Sequence, residues 1–246
     1  EYLAVRLDET LCESIVFVPN KRMEYLIPQG RLMAGYDSTA FSGDVHKISV
    51  RIPEGEEIYA VRNIALNSHD LSGQKGVYPH AHANLVTRNE PCFFERNAID
   101  GVCDNKGHGN FPHHSWAAGA REDLEYYIDF GTDVEIEKIV FFLRADFPHD
   151  TYWKSVDVKF SDKKTLTAHF EETADGQALI CGEKITTKSI HLTNFKQAVH
   201  PFSWAALSQI EVYGKYIKED LSKMEIRCAS NPKDVKHYTT ERLREE

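Results

Sequence analysis

What most constrains this chain is a series of short apolar or alternating runs, each cut off by a turn signal before a helical period develops. Ser14-Ile-Val-Phe-Val18 stops at Pro19-Asn20, and Met23-Glu-Tyr-Leu-Ile27 stops at Pro28-Gln-Gly30. Residues 46–52 set Lys, Ser and Arg on one face against Ile48, Val50 and Ile52 on the other, and Pro53-Glu-Gly55 then turns the chain. Residues 124–130, 136–143, 155–160, 166–170, 178–181, 189–192 and 209–213 read as strands too. Gly131-Thr-Asp133, Ser161-Asp162, Asp175-Gly176 and Cys181-Gly182 separate them. Short strands at this spacing, without helices between them, predict an all-β antiparallel sandwich or barrel.

Composition narrows the function. The longest apolar run, Ile139-Val-Phe-Phe-Leu143, is stopped by Arg144. It falls far short of the ~18 residues of a membrane helix, so no membrane span is expected. Lys and Arg number 29 against 38 Asp and Glu, a net charge of −9, with no basic run beyond two residues. Such a surface repels a phosphate backbone, and nucleic acid is not an expected partner. The five cysteines are dispersed and form no Cys-x-x-Cys pair. They read as free thiols, which favours a reducing, cytoplasmic compartment. No signal-peptide pattern opens the sequence.

Two segments stand apart. Residues 69–120 are rich in His, Asn, Gly and Pro and read as long loops, where binding residues collect on a rigid scaffold. From Lys215 onward the charges mix, with a short helix expected over 217–226 and a solvated tail from Asp234.

Three stretches resemble the discoidin, or coagulation factor 5/8 type C, superfamily of galactose-binding-like domains, as found in bacterial carbohydrate-binding modules. They are Arg62-Asn-Ile-Ala-Leu-Asn67; Asn97-Ala-Ile-Asp-Gly101 with Ser115-Trp116 and Leu124-Glu-Tyr-Tyr-Ile-Asp-Phe-Gly131; and Leu207-Ser-Gln-Ile-Glu-Val-Tyr-Gly214. The order matches that of the family over about residues 57–214. The resemblance implies a jelly-roll β-sandwich, usually non-catalytic, that binds carbohydrate through loops at one end. Residues 1–56 then form an N-terminal β-extension packed on it, and 215–246 a charged C-terminal segment. Members are often extracellular, which sets the resemblance against the thiol pattern. Sugar-binding members often hold a structural calcium, and Asp100 matches the family's Asp, with Asp104 a second donor. The closing carboxylate position is Gln209 here, which removes an anionic oxygen from a cation that wants six to eight. The alternative is that Asp100-Gly101 is an Asx turn.

The chemistry concentrates in His108-Gly-Asn-Phe-Pro-His-His-Ser-Trp116 and Arg144-Ala-Asp-Phe-Pro-His-Asp-Thr-Tyr-Trp153. Sugar recognition wants aromatic faces for the C–H face of a pyranose and paired polar groups for its hydroxyls. Tyr152 and Trp153 are candidate faces. His108, His114, Arg144, Asp146, His149 and Asp150 are candidate polar contacts, with Arg144 a fork for an acidic sugar. Trp116 stands where the family often keeps a core Trp, which favours a core position. Arg144 with Asp146 or Asp150 is equally readable as a structural ion pair. His80-x-His82 puts two imidazoles on one side of a strand, a spacing that also suits zinc.

No Gly-x-Ser-x-Gly elbow, Walker loop or dinucleotide fingerprint is present. The expectation is therefore a non-catalytic carbohydrate-binding module. The alternative is a sugar-active lyase or hydrolase, metal-assisted or not, working through Asp146, His149 and Asp150. A structural or interaction protein is a third class, marked by an exposed edge strand in residues 1–56.

Overall fold

A computed structural model describes residues 1–119, 121, 123–147, 149–199, 204–218, 225–228 and 236–239. The chain divides into two units, Glu1–Tyr216 and Ile217–Glu246. In the first, β1 (Tyr2–Arg6), β2 (Ser14–Phe17) and β3 (Ser49–Arg51) form an antiparallel sheet of order β2-β1-β3. One short helix, α1 (Gly55–Tyr59), follows, and Arg51 bridges Glu13 and Glu57 to tie β3 to it. Then come β4 (Arg62–Asn63), β5 (His80–Ala83), β6 (Trp116–Ala117), β7 (Tyr126–Leu143), β8 (Trp153–Phe160), β9 (Thr165–His169), β10 (Gln177–Gln197) and β11 (Ala206–Tyr216). They pair in the order β4-β11-β7-β10-β8-β9, with β5 on β7 and β6 on β11.

Two expected turns bend strands instead of ending them. The runs at 124–130 and 136–143 merge into β7, and those at 178–181 and 189–192 merge into β10. Gly131 (φ +70°) and Gly182 (φ +73°) take left-handed backbone at the bends. A Cβ on Gly131 would collide with the Tyr78 ring, so the bend closes directly onto that side chain. At Gly131 β7 exchanges neighbours: residues 126–129 pair with β5, whereas residues 134–143 pair with β11. Strand β10 likewise pairs with β8 only in its C-terminal half. The sheet therefore folds over on itself as an all-β sandwich, and alternate residues of each strand enter one core. Trp116, Tyr126, Ile128, Phe130, Phe141, Trp153, Val158, Ile190 and Ile210 lie in that core.

The N-terminal sheet joins the sandwich through Val5, Val16 and Val18, which pack with Val77. Phe17 and Tyr78 exchange backbone hydrogen bonds of 2.7 and 3.0 Å. Residues 23–27 do not form the expected strand, and Leu26 and Ile27 are exposed. The run pairs with neither outer edge of the β2-β1-β3 sheet, and its two last apolar side chains therefore gain no burial from a ladder. The alternating run at 46–52 contracts to β3, and its apolar face (Ile48, Val50 and Ile52) stays exposed. Of the helix expected over 217–226, residues 219–224 lie outside the described residues. Glu225 and Ile226 belong to β12 (Glu225–Cys228), which pairs with β13 (Lys236–Thr239) in the second unit. Strand β13 thus takes up part of the tail expected from Asp234, and residues 240–246 lie outside the described residues. No helix among the described residues is long and apolar enough to cross a membrane.

One bond between extension and sandwich is pH-sensitive. The Leu7 amide donates to Nε2 of the buried His69 at 3.1 Å, which requires that nitrogen to be unprotonated. Burial, helped by the Arg96 charge, holds the His69 pKa down at about 4. The unfolded chain therefore takes up a proton below ~6.5 that the folded chain refuses until about pH 4, so acidification through this window removes stability. The expected loss is at most roughly 3 kcal/mol. Denaturant melts at pH 7 and pH 4.5 should differ more for the native chain than for His69→Asn.

Candidate functional site

The strongest apolar strand half, the end of β7, delivers Arg144 to the rim of the sheet, where the side chain is buried. Its Nε and Nη2 donate to Asp150 Oδ2 and Oδ1 at 2.6 and 2.8 Å, and Nη2 also donates to the Trp204 carbonyl at 2.8 Å. Asp150 is fully buried. Arg144 and Asp150, both candidate ligand contacts, thus form an internal strut that sets the 144–150 loop and the backbone at Trp204. The loop is closed further by Asp150 N–H on the Asp146 carbonyl at 3.0 Å. The Asn105 carbonyl accepts from Ala145 N–H at 2.7 Å, and its Nδ2 donates to the Leu143 carbonyl at 2.8 Å, which brings the 105–108 segment alongside.

This scaffold gathers three of the sequence candidates. His108 Nδ1 lies 2.6 Å from Asp146 Oδ2. The His108 and His149 rings stack with centroids 4.5 Å apart and planes within 4°. His149 Nδ1 lies 3.1 Å from Asp150 Oδ1. Both imidazoles and Arg144 line an open cavity of about 270 Å³ with Thr87, Arg88, Phe93 and Trp204. Trp204 is 46% exposed and is the aromatic face of this rim, which sequence reasoning missed. The available signal was a lone Trp in the connection just ahead of the closing strand. Arg88, in left-handed backbone (φ +51°), is held at the edge by Glu90 and lies 5.8 Å over the Phe93 ring.

The expected aromatic faces lie elsewhere. Trp153 is 1% exposed, on β8, with its ring 4.8 Å from Phe195 and 5.9 Å from Trp116. It is therefore a core residue, because the alternation of β8 turns position 153 inward. Tyr152 is half-buried and packs against the same core. Trp116 occupies the core, and its Nε1 donates to the Leu85 carbonyl at 3.0 Å.

His114 is also internal. Its Nε2 lies 2.6 Å from Asp100 Oδ2, and its ring stacks on Phe111 at 5.3 Å. The same Asp100 oxygen is 3.6 Å from Arg96 Nη2, while Asp100 Oδ1 accepts the Val102 amide at 2.9 Å in an Asx turn. A carboxylate engaged on both oxygens and facing a buried guanidinium does not suit a hard dication. Gln209 Oε1 meets the Gly101 amide at 3.4 Å, and Asp104 lies outward, 3.2 Å from His113 Nδ1. These residues do not fit calcium. Of the other histidine pair, His80 Nδ1 is 2.7 Å from Asp70, whereas His82 stacks on Tyr127 at 4.4 Å. Burial opposes a charge on His80, but Asp70 outweighs it and the pKa is raised. Among the described residues, the group of donors close enough to share a metal ion is His108, Asp146 and His149.

No protein-family model matches this chain, and no curated protein matches it. Solved structures similar to it include a selenomethionine-labelled point mutant of chitosan-binding module 1 from a chitosanase/glucanase of Paenibacillus sp. IK-5. That module is 18% identical, with 63% of this chain and 100% of that one covered and a TM-score of 0.44. The lectin domain of lectinolysin complexed with Lewis B antigen is 15% identical over 61% and 95% of the two chains, at a TM-score of 0.45. The family 32 carbohydrate-binding module of C. perfringens NanJ, in complex with galactose, is 14% identical over 54% and 91%, at 0.41.

Two outcomes check this assignment of roles. Trp153→Ala and Arg144→Ala should each cost about 3–5 kcal/mol, the first by emptying a core site and the second by stranding the Asp150 charge, read as a large fall in thermal midpoint. Adding ~1 mM calcium to chelator-stripped protein should leave the midpoint unchanged.

Proposed function

We propose that the chain is a non-catalytic carbohydrate-binding module that takes a sugar at the rim cavity formed by Trp204, His108, His149 and Arg88. The observation that carries this reading is the half-exposed Trp204 indole lining a cavity of about 270 Å³ together with the polar side chains of His108, His149, Arg88 and Thr87. An indole face packs against the C–H face of a pyranose, while imidazole and carboxylate groups hydrogen-bond its hydroxyls. Pockets for drug-sized ligands run ~300–1,000 Å³, so a cavity slightly below that range suits a single terminal sugar ring. The discoidin-like motifs in the sequence imply the same class of ligand. Asp150, one carboxylate of the hydrolase alternative, is buried and bridged to Arg144, which fits it as a strut and not as an acid or base.

A glycan array on the purified chain tests the reading directly, with mass spectrometry of the bound glycans afterwards. The expected result is binding that leaves the glycan intact. Trp204→Ala should weaken that binding about tenfold or more while moving the midpoint by less than about 3 °C, because the side chain is a surface anchor. Silence across the array, or a cleaved glycan, would overturn it.

A further inference from the structure

His108 and Asp146 come from two loops, and their contact at 2.6 Å alone would be an ordinary histidine–carboxylate pair. Two further features depart from that. A second imidazole, His149, lies parallel to the first at 4.5 Å, so the two loops bring two ring-nitrogen donors side by side. His149 Nδ1 also sits 3.1 Å from the Oδ1 of Asp150, itself fixed by Arg144. With Nδ1–H donated to that carboxylate, the lone pair of His149 is on Nε2. This is the relation in which a carboxylate behind a histidine orients it toward a metal.

One donor atom from each of His108, Asp146 and His149 lies within 4.8 Å of the other two. Ligands at 2.0–2.1 Å from a common tetrahedral ion stand about 3.4 Å apart, so side-chain rotations of roughly an ångström close the set. All three side chains are at least partly exposed, and none belongs to the hydrophobic core. Two nitrogens and one carboxylate oxygen suit late first-row divalent ions and not calcium. Three protein ligands also leave a coordination position open.

We propose that His108, Asp146 and His149 form a three-ligand site for a divalent transition-metal ion of the zinc class, with Asp150 orienting His149. Because His108 and His149 line the Trp204 cavity, an ion held there would border that cavity, and its open position would take water or a hydroxyl of the bound molecule. The site stands independently of the carbohydrate reading, since the metal alone is the probe.

The test is calorimetric titration of zinc(II) into the chelator-stripped full chain, with cobalt(II) added separately to read its visible absorption. The expected result is one ion per chain and a cobalt spectrum of low-symmetry nitrogen–oxygen ligation. His108→Ala, Asp146→Asn and His149→Ala should each weaken zinc by more than about tenfold, and His82→Ala should leave it unchanged. Thermal melts of the four variants establish that each is folded. No heat and no cobalt absorption at metal concentrations on the order of 0.1 mM would overturn the proposal. So would zinc binding that survives loss of His108 and His149, or that disappears with His82. An array that stays silent while zinc binds would sink the sugar reading and leave the metal site standing.

Discussion

A guanidinium is costly to take out of water unless its N–H donors find oxygen, and the loops of this molecule are arranged around two such buried groups. Arg96 is buried. It donates to the carbonyls of Asp70, Ser68 and Gly35 at 2.8, 3.2 and 3.3 Å and to Asn97 Oδ1 at 3.0 Å, with Asp100 3.6 Å away. Its partners come from the N-terminal extension, from the loop after β4 and from the turn before Gly101. The loops have no ladder of their own, so this one cation supplies what a sheet would otherwise supply. Gly35 can approach because it lacks a Cβ, which would sit 3.0 Å from Asn97 Oδ1. Arg144 repeats the arrangement at the rim, where Asp150 and the Trp204 carbonyl are its acceptors. Breaking either cluster strands a buried charge, so the loops are as firmly specified as the strands.

That arrangement explains which parts of the structure were legible in the sequence. Strands whose side chains alternate between core and solvent announced themselves, since burial on one face leaves a period of two. The pattern does not say whether a neighbouring edge exists. Residues 23–27 are as apolar and turn-bounded as a strand yet pair with nothing, and residues 46–52 carry the alternation with only three residues paired. Nor does it separate a glycine that ends a strand from one that bends it, because both need the same backbone freedom. Gly131 and Gly182 were for that reason read as boundaries, although each lies within a continuous strand.

The candidate site was harder for a related reason. Sequence places His108, Arg144, Asp146, His149 and Asp150 in two loops, but their roles depend on which of them face inward. Arg144, Asp150 and His114 look like ligand contacts by residue type, and burial turns them into internal partners. Trp153 is one residue from Tyr152 and two from Thr151, and only the start of β8 decides that its ring points into the core. Trp204 reaches the cavity through a connection with no periodicity at all, which is why nothing in its neighbours marked it.

The two long strands carry a consequence for how the molecule comes apart. A sandwich made of separate sheets can in principle lose one layer and keep the other. Here β7 and β10 each run through both layers and pair with each other along most of their length. Peeling either layer would strip hydrogen bonds from the other through the same two chains. Amide protons on opposite sides of the core should therefore exchange through one shared opening, and the rim loops sit on a scaffold whose two layers are held by the same pair of strands.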